Sequence, residues 1–208
     1  MASIETTGTD TQATQRTDRG WKPYRLSVRQ YLGMIKAGIF PPETNVELLG
    51  GILVRQMTKG IPHDYTLGEL CEQLRSLLPP GQMLREDKSL VLGPRKRPEP
   101  DVTIVAGPHS LYKHRDPEAK DAALVVEVSD STYAYDRGVK WRLYAAAKVP
   151  AYWIVNLVRR QVEVYRQPTG AGAEAKYQLA ETYGEDAAVP VLIDGTEVGR
   201  IAVRDILP

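Results

Sequence analysis

The chain has 208 residues, of which 42% are apolar and 25% are charged, and its formal net charge is +1. This balance excludes a chain that is disordered, collagen-like or coiled coil throughout, and no apolar run is long enough to span a membrane. The first residues contain no apolar segment that could serve as a signal peptide, so we expect an intracellular, cytoplasmic protein. Cys71 is the single cysteine, which excludes an internal disulfide and a thiol-rich metal site.

The sequence predicts a polar tail followed by one folded domain. Residues 1–20 are polar and lack apolar periodicity, which predicts a mobile tail, and we expect residues 21–208 to form a single domain. Ser27 can cap a helix that extends to about residue 37, and Gly50 and Gly51 separate two apolar runs typical of a hairpin. Apolar residues at helical spacing predict two more helices, over 64–78 and 136–148.

The second half of the chain consists mainly of short runs rich in β-branched and aromatic residues, separated by turn residues. Such runs predict strands. They are Met83–Leu92, Asp101–Val105, Leu124–Val128, Tyr152–Asn156, Val162–Arg166, Tyr177–Thr182, Val189–Ile193 and Val198–Val203. Strands and helices do not alternate regularly and no glycine-rich phosphate loop is present, so an α/β (α+β) fold with a mixed sheet is predicted rather than a Rossmann fold or a barrel.

Two acidic residues border or interrupt these apolar strands. Asp101 is at the head of one predicted strand, and Glu127 is near the end of another. A carboxylate buried on an apolar strand costs several kcal/mol unless it is protonated, paired or bound to a cation. If the two strands are adjacent, a divalent cation would relieve the repulsion between the acids. The alternative is that Asp101 caps a turn and that Glu127 pairs with an arginine.

A lysine on the following predicted helix could join these acids. Lys140 lies about one turn into that helix, beside the buried face that Val139 and Leu143 are expected to form. An ammonium group there could polarise an attacking nucleophile or neutralise charge that develops on a phosphate. A lysine in the first turns of a helix is, however, most often solvated.

The string EPDVTIV and the later segment LVVEVSDSTYAYDRGVKWRLYAAAKVPAYWIVNLVRRQVEVYR resemble the Uma-two (Uma2) family of endonucleases, within the PD-(D/E)XK nuclease superfamily. The similarity extends over residues 24–183 and includes VELLGGILV. Asp101 matches the aspartate of the PD motif and Glu127 its second acid. Ser129 stands where the superfamily usually has lysine, and the resemblance implies that Lys140 takes that place. Glu47 matches a glutamate of the family's early segment near the site.

The resemblance implies a restriction endonuclease-like mixed sheet flanked by helices, and we expect additional C-terminal strands. It also implies Mg²⁺-dependent cleavage of DNA phosphodiesters, with Mn²⁺ as an alternative ion. Asp101, Glu127 and the backbone carbonyl of Val128 would hold the ion, since Mg²⁺ prefers oxygen ligands. Lys140 would orient the attacking water or meet the developing charge. Glu47 would hold a second ion or a water molecule.

Basic residues near these acids could contact the phosphates of DNA. Arg95, Lys96 and Arg97 directly precede the PD motif, and Arg137 lies on the helix that carries Lys140. Such clusters are often only a solvated face, and with a net charge of +1 the nonspecific affinity for DNA should be modest and depend on salt. His63 matches a position that is often histidine in the family, and as a lone histidine it is expected to be a structural or capping residue.

Three functions remain to be distinguished. The first is a metal-dependent DNA endonuclease that acts as a homodimer, because a DNA duplex offers two strands related by symmetry. The second is a noncatalytic nuclease-fold protein that binds nucleic acid or a protein partner, which the absence of lysine at position 129 leaves open. The third is a glycosidase with a carboxylate pair, which the small number of aromatic residues expected at the surface disfavours.

Overall fold

The computed structural model describes residues 22–41 and 44–208. The predicted tail, residues 1–20, lies outside this range. The helices are α1 (Val28–Lys36), α2 (Ile61–Leu77), α3 (Tyr133–Tyr135) and α4 (Trp141–Ala146), and the π-helical turn Asp136–Lys140 joins α3 to α4. The strands are β1 (Val46–Leu49), β2 (Ile52–Arg55), β3 (Gln82–Glu86), β4 (Val102–Ala106), β5 (Ala122–Ser129), β6 (Ala151–Asn156), β7 (Gln161–Thr169), β8 (Lys176–Gly184), β9 (Ala188–Ile193) and β10 (Thr196–Ala202).

A six-stranded sheet in the order β3-β4-β5-β6-β7-β8 forms the centre of the fold. Neighbouring strands are antiparallel except β5 and β6, which are parallel. Parallel strands require a long crossover connection, and α3, the π turn and α4 supply it. The strands β1–β2 and β9–β10 form two separate hairpins. The predicted mixed sheet with additional C-terminal strands is therefore confirmed.

Apolar side chains cover both faces of the central sheet. On one face, Leu70 and Leu74 of α2 belong to the same buried cluster as Val126 of β5 and the inner side of the β9–β10 hairpin. On the other face, Leu143 and Tyr144 of α4 lie in a second buried cluster with tyrosines of β6, β7 and β8. Strands buried on both faces are expected to be apolar throughout rather than alternating, which explains the continuous apolar run of β5.

The local signals at the start of the chain are confirmed. The Ser27 side chain accepts a hydrogen bond from the backbone N–H of Gln30 and caps α1, and Gly38 follows the helix with a φ of +65°. Gly50 and Gly51 form the turn between β1 and β2 with φ values of +61° and +82°, which residues other than glycine rarely adopt. None of the helices in the part of the chain that is described is long and apolar enough to cross a membrane.

Two of the predicted elements differ most from the structure in extent. The strand predicted over Met83–Leu92 ends at Glu86, because Asp87 has a φ of +49° and turns the chain out of the sheet. The helix predicted over 136–148 begins at Tyr133, ends at Ala146 and contains the π turn. Val139, expected on its buried side, lies within the π turn and is 48% exposed, because the wider turn departs from the α-helical periodicity on which the prediction depended.

Candidate active site

A cleft of about 420 Å³ opens where β4 begins and β5 ends. These two points lie at the same edge of the sheet because the strands are antiparallel. The cleft contains six carboxylates and three permanently positive side chains. Its acidic and basic lining residues are Glu47, Arg55, Lys59, His63, Glu99, Asp101, Glu127, Asp130, Asp136 and Lys140.

Asp101 is buried and has several partners. Its Oδ2 accepts a hydrogen bond of 2.7 Å from the backbone N–H of Val128, which ties the start of β4 to the end of β5. The same oxygen lies 3.2 Å from Nε2 of His63, and Oδ1 lies 2.8 Å from Nζ of Lys59. Burial raises the pKa of Asp101, but the His63 hydrogen bond and the Lys59 ammonium outweigh it and lower the pKa to about 2. Asp101 is therefore charged at neutral pH.

Glu127 is held by two residues of the crossover helix. Its Oε2 lies 2.9 Å from Nζ of Lys140, and its Oε1 accepts a hydrogen bond of 2.7 Å from the hydroxyl of Tyr144. Only 3% of Glu127 and 7% of Lys140 is exposed, so this ion pair lies inside the protein. Residues four apart lie on one side of a helix, which is why Lys140 and Tyr144 reach the same carboxylate.

Asp136 is a second buried carboxylate beside Lys140. Its Oδ1 lies 3.9 Å from Nζ of Lys140, while its Oδ2 accepts hydrogen bonds from Ser129 at 2.7 Å and from Thr132 at 2.6 Å. The hydroxyl of Tyr152 also donates to the backbone carbonyl of Asp136 at 3.1 Å. These contacts fix the first residue of the π turn, whose last residue is Lys140.

Glu47 reaches the same cleft from the β1–β2 hairpin. It is 2% exposed, and its Oε2 accepts a hydrogen bond of 3.1 Å from the backbone N–H of Glu99. Burial raises the pKa of Glu47, and the positive charge of Lys140 opposes that rise. The hairpin therefore adds the Glu47 side chain to those of Asp101 and Glu127, which lie at the end of the sheet.

The carboxylates of the cleft outnumber the cations near them. Burial raises the pKa of Glu127 well above its ordinary value, and the charge of Lys140 offsets this only in part. Burial lowers the pKa of Lys140, but the surrounding carboxylates, Glu127 first, more than reverse that effect and raise it. At Glu127 and at Lys140 the raised pKa favours the protonated form, because each added proton reduces the excess negative charge of the buried site.

The structure brings together five predicted site residues: Glu47, Asp101, Glu127, Val128 and Lys140 all line the cleft. The alternative partner for Glu127, an arginine, is not the one observed, since Lys140 pairs with it. His63, expected to be a structural or capping residue, lies 3.2 Å from the Asp101 carboxylate.

The four basic residues predicted to contact DNA do not line this cleft. Arg95 is exposed and Lys96 half-buried. The guanidinium of Arg97 pairs with Asp116 at 2.8 Å, which favours a structural role. Arg137 stacks over the rings of an adjacent tryptophan and tyrosine, with its guanidinium carbon 5.1 Å and 4.9 Å from the ring centroids.

Sequence reasoning missed three residues of the site. Asp136 and Tyr144 lie four residues before and after Lys140, so helical spacing could have identified both. Lys59 lies in the loop between β2 and α2 and has no periodic signal. Only the fold places its ammonium group beside Asp101.

The donor atoms of the cleft fit a hard divalent cation. Asp101 and Glu127 supply carboxylate oxygens, and Val128 also lines the cleft. Mg²⁺ and Mn²⁺ prefer such oxygen ligands. In residues 22–41 and 44–208, however, no three His, Cys, Asp or Glu side chains are grouped closely enough to hold a metal ion. A lysine ammonium group contacts one oxygen of each acid, so a metal ion would bind beside these groups or displace them.

The chain resembles known proteins in its sequence and in its fold. Residues 28–202 match the family model Uma2, described as "Putative restriction endonuclease". None of the curated proteins compared with the chain matches it. A solved structure from Anabaena variabilis ATCC 29413, described as a "putative nuclease belonging to DUF820", is 14% identical, with a TM-score of 0.61 over 87% of this chain and 97% of that chain. At this identity the structural similarity concerns the fold alone.

Proposed function

Because the chain belongs to the Uma2 family of restriction endonuclease-like proteins, we propose that it is a metal-dependent endonuclease that hydrolyses DNA phosphodiester bonds at this cleft. One observation carries the proposal: Asp101 and Glu127, from neighbouring strands, lie in one cleft with Lys140 paired to Glu127 at 2.9 Å. Two acids at the end of a sheet, with a lysine beside them, are the groups that the PD-(D/E)XK resemblance implies.

The excess negative charge of the cleft supports a need for a metal ion. Six carboxylates face three permanently positive side chains, and a DNA phosphate entering such a site would be repelled. A bound Mg²⁺ or Mn²⁺ would supply the positive charge that draws in and polarises a phosphodiester. Asp101, Glu127 and the backbone carbonyl of Val128 would hold this ion, and Glu47 would bind a second ion or a water molecule.

The residues of the chain then have separate tasks. Lys140 orients the attacking water or meets the negative charge that develops on the phosphate. Tyr144 fixes one oxygen of Glu127 through its hydroxyl, so that the other faces Lys140. The Val128 N–H holds Asp101 at the start of β4. These hydrogen bonds position both carboxylates before the metal and the substrate bind.

A plasmid assay tests the proposal. Supercoiled plasmid and single-stranded DNA are incubated with the protein and Mg²⁺, Mn²⁺ or EDTA, beside the variants Asp101→Ala and Lys140→Met. We expect metal-dependent nicking that either substitution lowers by at least about 100-fold. Lys120→Met is the control, because Lys120 pairs with Glu118 at the surface and does not line the cleft. Cleavage that survives Lys140→Met would remove that lysine from the mechanism.

A noncatalytic nuclease-fold protein is the second candidate. One observation favours it: both acids already have lysine partners, at 2.8 Å and 2.9 Å, so the cleft is neutralised in part without a metal. Such a protein would bind DNA or a protein partner without cutting. Absence of cleavage together with absence of Mn²⁺ binding in calorimetry would favour this function over the enzyme.

The remaining features of the proposal concern partners and assembly. We take residues 21–208 as one domain that acts on DNA in the cytoplasm as a homodimer, because two copies can address the two strands of a duplex. Arg95 and Lys96 are the proposed phosphate contacts outside the cleft, with Arg137 on the crossover helix. Arg97 would support this loop through its ion pair with Asp116. Sedimentation velocity tests the dimer.

A further inference from the structure

The Lys59 ammonium occupies a position that the proposed mechanism does not use. It lies 2.8 Å from Oδ1 of Asp101 and also pairs with the carboxylate of Asp87. Lys59 comes from the loop between β2 and α2, whereas Lys140 comes from the crossover helix. Each of the two acids proposed to bind metal therefore has its own lysine, and the two lysines belong to separate parts of the fold.

The two oxygens of Asp101 differ in their partners. Oδ2 is held by the Val128 N–H and by His63. Oδ1 is held by Lys59. A metal ion that binds Asp101 through Oδ1 would lie close to the Lys59 ammonium, and the repulsion between the two cations favours release of the lysine.

Asp87 gives the displaced lysine a second anchor. The Asp87 side chain is 50% exposed, whereas that of Asp101 is 7% exposed. Lys59 can therefore release Asp101 and keep its contact with Asp87, which moves its positive charge from the buried floor of the cleft toward the solvent. A phosphate that enters the cleft would meet the ammonium there.

Resting on the proposed nuclease function, we propose that Lys59 is a phosphate-binding residue that the metal ion makes available: it neutralises Asp101 until the metal binds and then contacts the DNA backbone. In this arrangement the metal ion would strengthen DNA binding in two ways. The ion adds positive charge to the cleft, and it frees a lysine that was held by an acid. Lys59 would thus contribute to DNA affinity only in the presence of the ion.

Calorimetry with Mn²⁺ tests the first half of the proposal. Lys59→Met removes the competitor for Oδ1, so we expect Mn²⁺ to bind about fivefold more tightly than to the wild type. Arg55→Met is the matched control, because Arg55 lines the same cleft but forms no ion pair with Asp101 among the described residues. General electrostatics would change the Mn²⁺ affinity equally in both variants, whereas we expect less than about a twofold change for Arg55→Met.

Fluorescence anisotropy with a labelled duplex tests the second half. In Ca²⁺, which also takes oxygen ligands, we expect Lys59→Met to bind the duplex about tenfold more weakly than the wild type. In EDTA the two proteins should differ by less than about twofold, since Lys59 is then paired with Asp101. Lys59→Arg, which keeps the positive charge, should retain most of the wild-type affinity for the duplex in Ca²⁺. Circular dichroism melting shows that each variant is folded.

The outcomes separate this inference from the proposed function. A wild type that binds Mn²⁺ and nicks plasmid, with Lys59→Met unchanged in Mn²⁺ affinity or equally weakened for DNA in EDTA and Ca²⁺, would overturn the role of Lys59 alone. A wild type that binds no Mn²⁺ and cuts no DNA would overturn both.

Discussion

The Lys140–Glu127 ion pair allows a quantitative test of the site that needs no substrate. The two charged atoms are 2.9 Å apart and nearly excluded from solvent, and at an effective dielectric constant of about 20 their attraction is about 6 kcal/mol. The cost of burying both charges offsets much of this. Lys140→Met removes the attraction but leaves the Glu127 carboxylate buried, and such a change costs about 3–5 kcal/mol of unfolding free energy.

The loss of unfolding free energy in Lys140→Met should depend on pH. Without the ammonium group, the pKa of Glu127, already raised by burial, rises further. A carboxyl group whose pKa is higher in the folded than in the unfolded state stabilises the fold at low pH, and this contribution is lost as the pH rises through the folded-state pKa. The variant should therefore lose more stability relative to the wild type at about pH 8 than at about pH 5.5.

Urea denaturation in EDTA, followed by tryptophan fluorescence, measures these differences. Trp153 is 1% exposed in the core and reports on unfolding. The double variant Lys140→Met/Glu127→Gln provides the control, because a neutral amide can still accept the Tyr144 hydrogen bond without a buried charge. At about pH 8 we expect it to recover about 2 kcal/mol relative to Lys140→Met. Equal stability of the wild type and Lys140→Met at both pH values would refute the reasoning.

Three further measurements test other residues. Tyr144→Phe removes a buried hydrogen bond of 2.7 Å to Glu127 and should lower the unfolding free energy by about 1–2 kcal/mol in urea titrations; an unchanged midpoint would contradict the contact. Burial raises the pKa of Cys71 to about 12, so its reaction with a thiol reagent at about pH 8 should be slow until urea unfolds the protein; rapid labelling of the folded protein would show that the cysteine is accessible. Ser129→Lys should restore plasmid nicking to Lys140→Met at least in part, because positions 127 and 129 lie on one face of β5; no recovery in a folded double variant would count against the equivalence of the two lysine positions.

The sequence was sufficient to predict the sheet because its signals are local. The glycine pair of the β1–β2 hairpin, the Ser27 cap and the apolar runs of β4 to β7 each depend on a few adjacent residues. The extent of β3 was wrong because Asp87 adopts a positive φ, and its side chain pairs with the distant Lys59. That contact is not encoded by neighbouring residues.

The site was predictable only where a residue lies on a strand or matches a motif. Asp101 and Glu127 are acids at the ends of apolar strands, and a carboxylate buried there must be protonated, paired or bound to a cation. Lys59 gave no such signal, since an isolated lysine in a loop is most often solvated. Its role as a partner of Asp101 arises from the folding of the β2–α2 loop over the start of β4, which joins residues 42 positions apart.

The serine at position 129 and the lysine on the crossover helix can be understood together. Ser129 lies two residues after Glu127 on the same face of β5, and a lysine there would compete with Lys140 for the buried carboxylates. Its short hydroxyl instead donates to Asp136 at 2.7 Å. Asp136 begins the π turn that ends at Lys140, so the serine stabilises the helical segment that brings the other lysine to the cleft. The departure from the superfamily pattern is thus compatible with a working site, provided that both the serine and the π turn are present.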